Sequence, residues 1–513
     1  MLIDARTLEN NSIIDGDICI IGAGAAGISA AMEFNNTKYK VILLEGGGMQ
    51  YEERTQELVG GSQDGQKYYP IKSTRLHYFG GTTGHWGGFC SMFDPIAFRK
   101  RDWVNMSGWP ITQEDLMPFY RRANTILDLN EFNFDVNEWQ KKDPKLIPMP
   151  IDKSVFWHKI WRFSPPTKFG EKYRKPVLDS ANIHLYTYAH AASLEADEQV
   201  KNISEVIIKN YAGKTHRVRA RYVIMACCSL QNTRLLLNST SKAPKGIGND
   251  NDNVGRYFME HAELKSAELW LNDKRPFLIY ENMSGGMRAE LAVTPEYQEK
   301  LQLLNGIMSF IPLYLARKIP AYIKSWSNND PRENEKHVKE RYDSLKENRF
   351  AHYFRPWQPQ AYQIVMRLEQ APNRDSRITL NQEKDELGIP KVHLHWILGA
   401  QEKRSGRMIY ELLGQQMGKA GLGRVRLLHN LPDLKDDTMP ETTSAGWHHM
   451  GATRMTDDPK TGVVDANCRI HGMENLYIAS SSCFTTGGGV NPTMTIVALS
   501  LRVADHIKQK LGS

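Results

Sequence analysis

Apolar positions in this chain change rhythm from segment to segment, and the changes outline its elements. Residues 17–21 (DICII) form a short β-prone apolar run, suited to a buried parallel strand. A glycine-rich turn follows at 22–27, an apolar-faced helix is predicted over 28–34, and a second apolar strand over 41–44 ends on Glu45. Further strands are predicted at 182–186, 205–208 and 221–225, with a helix over 231–238 after the last. A final strand at 475–479, a glycine-rich turn and an apolar helix over 494–507 close the chain. The segment 262–428 mixes alternating and helical apolar patterns and holds no phosphate-binding turn.

This order predicts an α/β protein with a Rossmann-like dinucleotide domain that is discontinuous in sequence. The expected segments are 1–100, 176–261 and 440–513 for that domain. Residues 101–175 and 262–439 would make a substrate domain of mostly antiparallel sheet, helices and lid segments. A chain of 513 residues is too long for one compact core, which agrees with two lobes.

The glycine turn carries the first chemistry. Gly22 permits the tight turn, Gly24 lets a pyrophosphate approach the backbone, and Gly27 lets helix pack on strand. Ala25 and Ala26 lie in the turn that leads into the helix, whose N-terminal N–H groups suit phosphate. Glu45 stands where an acid accepts hydrogen bonds from ribose hydroxyls and would repel a 2′-phosphate, so NADP is disfavoured. FAD and NAD both remain open at this point. Ala191 and Ala192, just past a predicted strand, leave room for an adenine or for tight packing.

Two other stretches resist any regular element. YFGGTTGHWGG (78–88) crowds glycines around aromatic residues and predicts a loop pressed against a flat ligand, with Gly81, Thr82, His85, Trp86 and Gly87 as contacts. WHHMGATRM (447–455) sets His448 and His449 beside a glycine turn, and FTTGGGVNPT (484–493) places Asn491, Pro492 and Thr493 at the start of the last helix. Histidine suits removal of an alcohol proton near neutral pH, and Asn491 would supply a second hydrogen-bond partner for the substrate oxygen. Adjacent histidines diverge in extended backbone, and the sequence does not rank the two.

Composition narrows the field. The excess of 65 basic over 58 acidic residues is mild and scattered, without the dense stripe of a nucleic-acid binder. Six cysteines lack CxxC spacing, against a disulfide framework, a zinc or iron–sulfur centre or an attached haem, and no metal site is expected. No secretory signal and no run of ~20 apolar residues is visible, so a cytoplasmic protein is expected, with export as the passenger of a signal-bearing partner the alternative. Residues 303–326 (with Phe310, Tyr314, Arg317, Lys318, Tyr322 and Lys324) predict either helices over the active site or a docking surface for a membrane or partner, and 328–347 a solvated charged stretch.

GAGAAG with Glu45, GGTTGHWGG, NVGRYFMEH (253–261), HHMGATRM and GGGVNPT, in this order over nearly the whole chain, resemble the glucose–methanol–choline (GMC) oxidoreductases. SGWPIT (107–112) and QAPNRDSRITL (370–380) are similar to the branch of pyranose oxidases, fructose dehydrogenases and bacterial glycoside 3-dehydrogenases. The resemblance implies FAD rather than NAD, His448 as catalytic base, Asn491 as its partner, and hydride transfer from a secondary alcohol of a sugar or glycoside, at C3, to flavin N5. It implies a dehydrogenase, with a sugar oxidase or a sterol-type oxidase as alternatives. The electron acceptor is left open among cytochrome, quinone and oxygen, and a small partner subunit is part of the expectation. His85 resembles the histidine to which pyranose oxidases attach FAD covalently. Its GHWGG setting also occurs without that bond, so both forms stay open. The chain departs from the family at Cys228, Ser229 and Gln231, at Ser480–Ser482 where an acid is usual, and at Thr485 in place of proline.

Overall fold

The computed structural model describes residues 1–272, 278–281, 286–313, 361–429, 431 and 438–512. Of the stretch 303–326, Gly306–Pro312 form a strand where helices or an exposed docking surface were expected, and Phe310 is buried in a hydrophobic core, because these residues complete a sheet. Tyr314, Arg317, Lys318, Tyr322, Lys324 and the stretch 328–347 lie outside the described residues. Among the described residues no helix is long and apolar enough to cross a membrane.

Strands are numbered along the chain. The first sheet has eight: β1 (Leu2–Asp4), β2 (Ile13–Ile21), β3 (Val41–Leu44), β7 (Ile183–Thr187), β8 (His190–Ala196), β9 (Ile203–Lys209), β10 (Thr215–Met225) and β19 (Leu476–Ile478). Their order is β1-β7-β3-β2-β10-β9-β8, with β19 also on β10. β10 is long enough to serve two partners beside β2. Its first half pairs antiparallel with β9, and Val223 to Met225 pair parallel with Leu476 to Ile478. Every residue of β3 is buried, as a strand covered on both faces requires. Helix α1 (Ala25–Met32) follows β2 and packs against the C-terminal α5 (Thr493–Leu511).

The second sheet also has eight strands: β5 (Phe89–Cys90), β6 (Phe156–Phe163), β11 (Ala262–Leu271), β12 (Met287–Val293), β13 (Gly306–Pro312), β14 (Ala361–Leu368), β17 (Gly423–Leu427) and β18 (Ser444–Ala445). All its pairs are antiparallel. In β14 burial alternates strictly along the strand, so the sheet has two different faces. Ala289, Leu291, Met308, Ile364 and Met366 join a hydrophobic core with Ile409 and Leu413 of α4 (Ala400–Lys419). The opposite face is turned to the loops of the first sheet. A third sheet runs β15-β16-β4, from Arg377–Lys384, Pro390–Trp396 and Gly61–Gly65.

The α/β class and the discontinuous Rossmann-like sheet expected from the sequence are present. Four segments cross the expected division, one of them β18, which lies within 440–513 yet pairs with β11. β4 and β5, both within residues 1–100, join β16 and β6, because backbone pairing completes sheets regardless of where a covalent segment begins. Helix α2 (Gln113–Ile126), expected in the substrate lobe, packs on α5, where Tyr120 hydrogen-bonds Thr495 at 2.9 Å.

Candidate active site

The dinucleotide turn is built as its residues dictate. Gly22 has φ +102°, a conformation other residues rarely hold. A Cβ on Gly27 would sit 1.8 Å from the Gly22 carbonyl oxygen, so only glycine lets α1 start this close to β2. Helix α1 begins at Ala25, three residues before the expected start, since Ala25, Ala26 and Gly27 themselves form its first turn. No side chain caps that turn, which leaves its N–H groups and positive dipole end for an anion. Around Gly24 a Cβ would meet nothing within 4 Å, so this backbone is open to a ligand. Glu45 is buried at the end of β3, fixed by the N–H groups of Gly47 (2.9 Å) and Ala23 (3.2 Å), with lone pairs to spare.

The loop 78–88 crosses this turn. Gly80 N–H donates to Ala23 O at 2.8 Å, and a Cβ on Gly81 would lie 3.2 Å from Gly24 Cα. Thr82 and Gly87 are exposed, and Trp86 donates its indole N–H to Thr167 O at 3.0 Å. His85 stacks near Trp447, with centroids 6.2 Å apart, and its enclosed Nε2 has no partner among the described residues. Burial pulls its pKa down to about 4, so the ring is neutral. Ala189 N–H reaches Glu45 O, whereas Ala192 lies further along β8 with its carbonyl bonded to Asn238.

The catalytic-end loops converge from three places. Trp447 takes φ +60° and turns the chain so that the two following histidines diverge. His449 Nε2 lies 2.9 Å from Tyr68 OH, away from the cleft. His448 Nε2 lies 3.1 Å from Asn491 Nδ2, and its Nδ1 lies 2.8 Å from His261 Nδ1. Glu260 Oε1 accepts the backbone N–H groups of His448 (2.6 Å) and His261 (2.9 Å), while Oε2 accepts Tyr68 OH at 2.7 Å. Pro492 is the N-cap of α5 and Thr493 its first residue, so Asn491 is held at the mouth of a second helix without a side-chain cap.

The electrostatics keep both histidines of this cluster uncharged. Burial first, then His261, Arg367 and His449, hold His448 well below the usual histidine range. Burial and Arg367 take His261 down to about 4. Burial lifts Glu260 up to about 7 against its three hydrogen bonds. A neutral imidazole with a free ring nitrogen beside an amide N–H can take a hydroxyl proton while the amide holds the oxygen.

His261, Glu260 and Tyr68 were not singled out by sequence reasoning as site residues. His261 is 187 positions from His448, and the only signal was its place in the NVGRYFMEH element. A buried pair also escaped notice. Arg101 bonds both oxygens of Glu369 at 2.7 Å, and Glu369 in turn accepts Gly488 N–H at 3.2 Å, anchoring the glycine loop before Asn491.

Gly27→Ala is expected to weaken FAD binding by about 1–3 kcal/mol, roughly 5- to 150-fold, because its Cβ displaces either α1 or the Gly22 peptide. The ratio of flavin to protein absorbance on purification, and titration of the apoprotein with FAD, measure it. A variant that keeps full flavin would refute this account of the turn.

Residues 372–500 match the GMC oxidoreductase family. Over 97% of its length the chain is 24% identical to 96% of the 2-methyl-1,2-propanediol dehydrogenase of Mycolicibacterium austroafricanum. The fructose dehydrogenase large subunit of Gluconobacter japonicus is 23% identical over 98% of this chain and 99% of its own. Formate oxidase shares the fold, with a TM-score of 0.57 at 15% identity over 98% of this chain and 99% of that one. Residues 372–500 thus form a GMC oxidoreductase domain, the chain resembles relatives named as dehydrogenases over nearly its whole length, and it is an FAD-dependent oxidoreductase acting on CH–OH groups.

Proposed function

We propose that this protein oxidises a secondary alcohol of a sugar or glycoside, at C3 of the ring, to a ketone. His448 Nε2 takes the hydroxyl proton and Asn491 Nδ2 holds the oxygen. When bound, FAD supplies the acceptor for the hydride. The uncapped turn of α1, the loop 78–88 and Glu45 would hold the dinucleotide, and the mouth of α5 would hold the flavin end. The reading also takes an acceptor other than oxygen, a cytochrome or quinone, and a small partner subunit, in keeping with a relative named as a large subunit.

One observation carries the choice of substrate. Cross-strand pairing puts Trp157, Lys159, Trp161, Arg288, Glu290, Ser309 and Arg367 on one face of the second sheet, since directly paired residues share a face. Ile307, which pairs with Arg367, would meet a Cβ on Gly489 at 2.8 Å, so this face fronts the glycine loop before Asn491. The Arg367 charge also reaches His448 and His261, lowering both. Among the described residues, enclosed polar atoms without hydrogen bonds collect there: the indole nitrogens of Trp157 and Trp161, the Nε atoms of Arg288 and Arg367, and Glu290 Oε2. A wall of buried donors with one carboxylate acceptor suits a hydroxyl-rich ring and is costly against a sterol.

Anaerobic mixing with a panel of free sugars and glycosides is expected to bleach the flavin with at least one glycoside, giving a 3-keto product. On admission of air the reduced enzyme should reoxidise slowly, and a quinone should restore its colour quickly. Fast reoxidation in air would replace the dehydrogenase by an oxidase. Bleaching by sterols alone would overturn the substrate class.

A further inference from the structure

An imidazole serves as base only through the nitrogen that carries no hydrogen, and nothing within His448 decides which one that is. Its surroundings do. His261 Nε2 faces two carbonyl oxygens, Gly488 O at 2.9 Å and Gly487 O at 3.2 Å. Carbonyls only accept, so this nitrogen carries the hydrogen of the neutral ring. His261 Nδ1 is then a bare acceptor, and the atom facing it at 2.8 Å, His448 Nδ1, must donate. That leaves His448 Nε2 bare, pointed at the Asn491 amide N–H.

We propose that His261 is a positioning residue that fixes the tautomer of His448, so that Nε2 is always the proton-accepting atom. The inference rests on His448 being the base. Without His261 a second arrangement becomes available. His448 would carry its hydrogen on Nε2, the Asn491 amide would turn its oxygen to accept it, and the ring would have no base facing the substrate. With His261 in place that arrangement would set two bare nitrogens against each other at 2.8 Å. The geometry also serves the state after proton transfer. A His448 that gains a proton on Nε2 still donates from Nδ1 to His261, so the contact between the two histidines keeps its direction through the step. The chain is anchored at both ends. The glycine-loop carbonyls hold His261, and Glu260 ties the backbone N–H groups of both histidines together.

The test uses the FAD-loaded enzyme. In 15N spectra of histidine-labelled protein, with the His448 signal assigned by its loss in His448→Gln, the parent should show Nδ1 protonated and Nε2 bare. In His261→Ala the signal should move toward a mixture of tautomers. Its kcat should fall on the order of 10- to 100-fold with little change in KM. His261→Asn, whose Oδ1 can stand in for the Nδ1 acceptor, should recover most of the loss. A parent spectrum with hydrogen on Nε2 overturns the proposal, even if no variant folds. So does His261→Ala with kcat within twofold of the parent, or His261→Asn as slow as His261→Ala at equal flavin content and melting temperature. The spectrum is read without substrate, so this result is independent of whether the His448 variants lose activity.

Discussion

His448→Ala is expected to lower kcat/KM on the order of 10²- to 10⁴-fold while the protein keeps its FAD and its fold. The methyl group leaves nothing to take the hydroxyl proton, and Asn491 alone can only hold the oxygen. The side chain makes its hydrogen bonds to His261 and Asn491, and none to the glycine turn or the loop over it, so flavin content should stay at the parent level. Rapid-mixing measurement of flavin reduction by a glycoside found in the anaerobic screen reports the step directly. The pH profile gives a second check. The base must be neutral, and burial with His261, Arg367 and His449 puts its protonation well below the ordinary histidine value of 6.5. The acid limb of kcat/KM set by this group should therefore lie below pH 6.5, and that limb should be absent from the variant. If turnover remains near the parent level, His448 is not the base.

The sequence was most legible where a feature is local. The run at 41–44 became β3 with the same bounds, because an apolar tetrapeptide after a glycine-turn helix has few other places to go. The start of α1 was misplaced because glycine and alanine carry no apolar pattern, although their N–H groups are what a phosphate needs. His448 drew notice beside a glycine turn and Asn491 after a run of three glycines, and the fold brings the two within 3.1 Å. Their support was hidden. Glu260 and His261 end a strandless segment just before β11, and their meaning depends on Tyr68, His448 and the carbonyls of Gly487 and Gly488, far away in the chain. The polar face of the second sheet was equally opaque, since the register that aligns Trp161 with Arg288 and Ile307 with Arg367 exists only once the strands have paired.

Arg101 and Glu369 show what such hidden pairs are worth. They stand 268 residues apart and are almost fully enclosed, at 1% and 0% side-chain exposure. Arg101→Met is expected to cost about 3–5 kcal/mol of stability, because it abandons a carboxylate in the interior and does not merely remove a contact. Glu369→Gln added to that variant should restore part of the loss, since no charge is then left unpaired. The pH dependence has a definite sign. Burial pushes the Glu369 carboxyl up, but the Arg101 guanidinium outweighs it and holds the group below the usual range. In the parent this contribution is fully present above the unfolded carboxyl value of about 4.3, and it is lost as pH falls through the lowered folded value. In Arg101→Met only burial and two backbone N–H groups remain, so the carboxyl should be pushed upward and protonate more readily. The deficit of the variant should thus be larger at pH 7 than at pH 5 in paired urea melts of the FAD-loaded proteins. A deficit below about 1 kcal/mol would place the pair among interactions that break even with water. Because Glu369 also holds Gly488 N–H, the single variant should slow flavin reduction as well, and the double variant should regain stability more fully than rate: glutamine removes the buried charge, but its one carbonyl oxygen cannot serve both Gly488 and Asn305.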